Sequence, residues 1–123
     1  MGNPAVASAP VVLFLHERVE TTRAVFAAIR AARPQHLFLI ADGPTGRRGS
    51  EQRAAAARDE VAAVDWPCRV ERIYAEANLG CRMRQFTGIA AVFSAVEAAI
   101  FLEDDCLPQP GAIRWMAHML ARW

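Results

Sequence analysis

The residues with the most chemistry in this sequence lie in Phe101-Leu102-Glu103-Asp104-Asp105-Cys106-Leu107-Pro108, where an apolar run ends in three consecutive carboxylates. Adjacent carboxylates repel, so a fold accommodates them where a cation or hydrogen-bond donors compensate the charge. A short acidic cluster at a rigid strand end, together with a ligand's phosphates, is enough to hold a divalent ion. Asp105 is the natural metal ligand. Its neighbours Glu103 and Asp104 point elsewhere and can accept hydrogen bonds from sugar hydroxyls. A solvated acidic turn is the alternative reading of such a triplet.

Three further polar clusters follow apolar or strand-like stretches: His16-Glu17-Arg18, Asp42-Gly43-Pro44, and Asn78-Leu79-Gly80 with Arg82 and Arg84 behind it. Each has a plainer reading. Asp42 before Gly43-Pro44 is also a turn former. Arg18, Arg82 and Arg84 are also the kind of long side chain that lies on a protein surface. His36 and His118 read as packing at element ends, and His16-Glu17 lacks the second histidine of a zinc-protease helix.

Composition removes several classes of function. With 123 residues, 54% of them hydrophobic and 22% charged, the chain can bury a core. A net charge of +1 gives no general electrostatic attraction to nucleic acid or to an acidic membrane, so any anion site has to be local. All fourteen basic residues are arginine. That excludes, within this chain, a Schiff-base lysine or a lysine-bearing phosphate loop. Cys68, Cys81 and Cys106 have no Cys-x-x-Cys spacing and read as reduced cytosolic thiols, with a cytoplasmic location expected. Residues 1–10 read as a flexible leader without signal-peptide character, and Val11 to Leu15 is too short an apolar run for a transmembrane segment.

The elements that would position these clusters follow one another in a regular alternation. Val11 to Leu15 and Leu37 to Ile40 are continuous apolar runs of strand length, suited to burial on both faces. Arg69 to Ala75 is a weaker strand, and Ala99 to Leu102 is the fourth. Between them, Glu20-Thr21-Thr22 starts a helix that Pro34 stops, and Ser50 is placed to cap a second with Glu51 in its first turn. Arg82 to Val96 is a third, with Phe86, Ile89, Ala90, Phe93 and Val96 as its apolar stripe. Strand and helix alternating with short connections predict an α/β, Rossmann-like, mostly parallel sheet of about four strands with helices on both faces. Ligands of such sheets bind outside the carboxyl ends of the strands. All four polar clusters fall at that edge.

With those residues in place, the sequence resembles the GT-A glycosyltransferases. Phe101-Leu102-Glu103-Asp104-Asp105 followed by proline looks like the Glu-Asp-Asp form of their DxD motif, in the N-acetylglucosaminyltransferase I-like group and related family 2-like enzymes. The resemblance runs from Val11 onward and covers only the nucleotide-sugar half, so residues 11–123 are expected to be an incomplete GT-A-like domain whose acceptor half is absent. It implies a metal-dependent glycosyltransferase that moves a sugar from a nucleotide-diphosphate donor, a UDP-sugar, to an acceptor hydroxyl. It further implies Mn²⁺ or Mg²⁺ on Asp105, the ribose on Asp104, the donor sugar on Glu103, the base on Asp42, the diphosphate near Arg18, and a nucleotide contact from Arg82. His16-Glu17 ahead of Arg18 departs from the family's usual aromatic or small residue and Asn or Asp.

No Asp or Glu follows Asp105, so the general base that an inverting transferase draws from its acceptor half has no candidate there. The alternative function is therefore a non-catalytic nucleotide-sugar-binding fragment or half-domain that needs a continuation or a partner chain. The last helix, from Gly111, points the same way. Ile113, Met116 and Leu120 form one apolar face and Trp115, Met119 and Trp123 a second, which is expected to be covered by a missing C-terminal half or a protein partner.

Overall fold

The computed structural model describes residues 9–122. Of the leader, residues 1–8 lie outside the described residues, as does Trp123. The elements alternate without exception: β1 (Val11–Leu15), α1 (Val19–Ala32), β2 (His36–Ala41), α2 (Ser50–Glu60), β3 (Arg69–Tyr74), α3 (Cys81–Ala95), β4 (Ile100–Glu103) and α4 (Ala112–Arg122). The four strands form one all-parallel sheet in the order β3-β2-β1-β4.

That order carries the functional geometry. The chain winds outward from β1 through β2 to β3, then returns to place β4 on the other side of β1. Right-handed crossovers in opposite directions put their helices on opposite faces. Accordingly α1 and α2, joined by α4, pack on one face through Val25, Phe26, Ile29, Ala57, Val61, Ile113 and Ala117. The other face is covered by α3, whose Val92 joins Val12, Phe38 and Ile40. The strand order reverses between β1 and β4, and the carboxyl side of that reversal is where open α/β sheets leave a crevice.

Register aligns the polar clusters. Leu15 pairs with Ala41, Ala41 with Tyr74, and Phe14 with Glu103. The chain segments that leave each strand therefore emerge level with one another.

The third helix corrects the expected stripe. Its buried residues are Arg84, Gly88 and Val92, whereas Phe86 is 69% exposed and Ile89 and Phe93 also face outward. The cause is Gly88, where an added Cβ would lie 2.9 Å from Phe14 Cε1 and 3.1 Å from two Ile40 side-chain atoms. The helix docks by its smallest side, which lets its backbone approach the sheet, and the phenylalanines are turned away. Phe93 still lays its ring against Phe101, with centroids 5.6 Å apart. Gly88→Ala is expected to lower the stability of the fold by about 1–3 kcal/mol, read from the urea midpoint, because the helix must retreat from well-packed side chains.

One helix boundary and one helix face also differ. Gly49, not Ser50, is the N-cap of α2, at a φ of 82° that favours glycine. Ser50 is the first helical residue, and its hydroxyl is used elsewhere. On α4, Ile113 and Ala117 are buried and Met116 packs against the core, but Leu120 is exposed. Trp115 on the second face is 63% exposed. Among the described residues no helix is long and apolar enough to cross a membrane.

Candidate functional site

A cavity of about 730 Å³ opens at the carboxyl edge of the sheet. Its walls come from the segments following β1 and β2, from the start of α3 and from the acidic triplet after β4. It brings together five of the six residues to which the resemblance gives a ligand contact: Arg18, Asp42, Glu103, Asp104 and Asp105. Arg82 does not line it and is exposed, although it too opens α3. Arg84 and Gln85 line the cavity instead.

Each of the three acids of the corner has its own hydrogen-bond partner. Asp104, half-buried, accepts a hydrogen bond from the His16 backbone N–H at 3.2 Å, which ties the β4 end to the β1 end. Burial pushes its carboxyl above the usual value, against the pull of that N–H and of Arg18. Asp105 accepts from Arg18 Nη1 at 2.6 Å, and this hydrogen bond holds its carboxyl below the usual range. Glu103 accepts from the Gln85 side chain on α3.

Glu103, Asp105 and Cys106 each offer a ligand atom, all within 4.8 Å of one another. The carboxylate oxygens are of the kind that suits Mg²⁺ or Mn²⁺. The third donor is less ready: the Cys106 thiol donates to Asp105 Oδ1 at 3.4 Å, and that bond pushes its pKa up, keeping the proton on sulfur. The donor set thus fits a hard divalent ion, with Glu103 beside Asp105 where the sequence reading had placed Asp105 alone.

Asp42 is 6% exposed and its carboxylate is fully used. Oδ1 accepts from the backbone N–H of Gly43 at 2.8 Å and of Leu79 at 2.7 Å. Oδ2 accepts from Gly80 N–H at 2.9 Å and from Asn78 Nδ2 at 3.2 Å. Four donors fill the four lone-pair positions of a carboxylate. Asp42 therefore anchors the turn that launches α3, and it has no lone pair left over for a base. Gly43 is needed beside it, since a Cβ there would come within 2.6 Å of backbone atoms of Glu76 and Ala77.

On the opposite wall Glu17 accepts from Ser50 Oγ at 2.6 Å and from Arg53 Nε at 2.9 Å. The Ser50 hydroxyl, with Arg53 and His16 assisting and burial opposing, holds its carboxyl below the usual value. Ser50 Oγ in turn accepts from Thr45 N–H at 2.8 Å, fixing the loop after β2. This bridge from the β1 loop to α2 was not anticipated, because Ser50 in the sequence reads simply as a cap.

Every carboxylate that lines the cavity thus accepts a hydrogen bond from a partner within the chain. Arg84 has no such match. The residue is 9% exposed, its Nε is buried with no partner, and no carboxylate forms an ion pair with it among the described residues. The signal for it in the sequence was positional: Arg84, Gly88 and Val92 are spaced by four, a stripe of small and aliphatic residues that competes with the phenylalanine stripe for the sheet.

No family model, curated protein or solved structure matches this chain.

Proposed function

We propose that the cavity binds a nucleoside-diphosphate sugar together with Mn²⁺ or Mg²⁺, and that the chain is the donor-binding part of a metal-dependent glycosyltransferase. The observation that carries this reading is the pairing of opposites at the β1–β4 reversal: Glu103 and Asp105 for a cation, with Arg18 2.6 Å from Asp105 for an anion. A metal-bridged diphosphate presents both charges at once, and few other small ligands do.

Glu103 and Asp105 would hold the divalent ion, which would supply positive charge to the leaving diphosphate. Arg18 contributes a guanidinium on a loop, largely exposed, so its link to Asp105 is readily exchanged for a phosphate oxygen. Asp104, with Oδ2 engaged by His16, keeps Oδ1 for a ribose hydroxyl. Asp42 acts at one remove, by holding the Leu79-Gly80 turn and the start of α3 against the cavity.

Donor binding is better supported than transfer. A general base needs a free carboxylate oxygen aimed at the acceptor, and the oxygens left over here are those given above to the metal and the ribose. A binding module whose base comes from other protein is the second reading this favours. Titration calorimetry with UDP-sugars, with and without Mn²⁺, tests the proposal: metal-dependent binding is expected, and equal affinity in Mn²⁺ and in EDTA would refute it. Release of free sugar or transfer to an added hydroxyl acceptor separates the enzyme from the binding module.

A further inference from the structure

The first turn of α3 carries no acidic residue of its own, and the carboxylate at its start, Asp42, accepts from the N–H groups of Leu79 and Gly80, ahead of the helical residues. Gly80 is the N-cap and supplies no side-chain cap, and no acidic residue stands in the first turn of this 15-residue helix. The early N–H groups of a helix have no intrahelical partner and carry its positive end. Gly80 and Cys81 at this terminus both line the cavity.

Arg84 adds a second, independent observation. Its helical stripe continues through Gly88, against Phe14 and Ile40, to Val92 in the core. One turn before Gly88, the same side of α3 runs past the strand ends, and Arg84 there lines the cavity. Arg84 is nine-tenths buried as a residue, its Nε is buried without a partner, and among the described residues it forms no ion pair, an arrangement that is costly unless something fills its place. The acids of the cavity do not: Asp42 is saturated by the turn, Asp105 is taken by Arg18, Glu103 by Gln85, and Glu17 by Ser50 and Arg53, while Asp104 accepts from His16 N–H and makes no ion pair with Arg84.

We propose that Arg84 and the N-terminus of α3 form an anion subsite for a phosphate group of the ligand, one that works without the divalent ion. The subsite deepens the donor-binding reading and rests on the cavity being a ligand site, but not on Glu103 and Asp105 holding a metal. It is built of a fixed fork of N–H donors and a helix terminus, the two devices proteins use to hold phosphate oxygens. A nucleotide and free pyrophosphate share the chemistry it recognises, and uridine lacks it.

The test is calorimetry in EDTA with UDP, pyrophosphate and uridine as probes. The parent chain is expected to bind a phosphate-bearing probe and not uridine. Binding of UDP alone assigns the subsite to nucleotide-borne phosphate, and binding of pyrophosphate as well assigns it to the diphosphate itself. Arg84→Met is expected to weaken that binding about tenfold or more, the value of one charge-assisted contact. Arg84→Lys should recover part of it. The ligand-free Arg84→Met protein should melt at the same temperature as the parent or higher, since it loses an unmatched buried charge. A purely structural arginine would show the reverse, a lower melting temperature with unchanged affinity, and that result overturns the proposal. So does uridine binding as tightly as UDP, or no phosphate-bearing probe binding the parent in EDTA. The probes are titrated in EDTA, where no divalent ion is available to Glu103 and Asp105, so the metal reading can fail while the subsite stands.

Discussion

Replacing Asp42 by alanine is expected to destabilise the protein by about 3–5 kcal/mol, the range for removing one partner from a buried, multiply bonded charge. The carboxylate is 6% exposed and accepts from three backbone N–H groups and one side-chain amide. Alanine would strand Gly43, Leu79 and Gly80 N–H together, in a corner where Arg58 is already bonded to the Asp42 and Ala75 carbonyls. Urea denaturation reads the effect as a lower midpoint. Asp42→Asn should fall between, since its amide oxygen serves two of the donors and its NH₂ opposes the others. A loss below about 1 kcal/mol for the alanine variant, the worth of a single ordinary hydrogen bond, would mean that the turn finds its partners elsewhere.

The largest expected effect on binding belongs to Asp105→Ala. Changes in the surroundings of a metal ligand already cost tenfold to a hundredfold in affinity, so removing the ligand itself should weaken Mn²⁺-dependent UDP-sugar binding by about 100-fold or more. The fold should tolerate it, because the side chain is exposed and its partners are the exposed Arg18 and Cys106. The melting temperature is therefore expected to stay close to that of the parent. Equal nucleotide-sugar affinity in variant and parent, measured in Mn²⁺, would remove Asp105 from the site.

The sheet and its carboxyl edge were legible in the sequence because they follow from strong, local signals. Val11-Val12-Leu13-Phe14-Leu15 and Leu37-Phe38-Leu39-Ile40 can scarcely be anything but buried strands, and the polar residues that end them mark the edge. The phase of α3 was not legible. Periodicity showed a helix, and the large apolar residues suggested which side was buried, but the close approach permitted by Gly88 depends on Phe14 and Ile40 across the sheet. Periodicity alone likewise gave no means of telling Arg82 from Arg84, of which Arg84 lines the cavity. Asp42 shows another limit: its place at a strand end was readable, yet whether its lone pairs were free depended on a turn 36 residues later.

The Arg18–Asp105 contact joins residues 87 apart in sequence. Closing so long a loop costs entropy that is recovered only when β4 pairs with β1, after the more local β1-β2 and β2-β3 crossovers. The cavity therefore depends on the β1–β4 pairing, and a local opening that detached β4 would dismantle it. Ligand that bridges the two loops reports on, and stabilises, the completed sheet and nothing short of it.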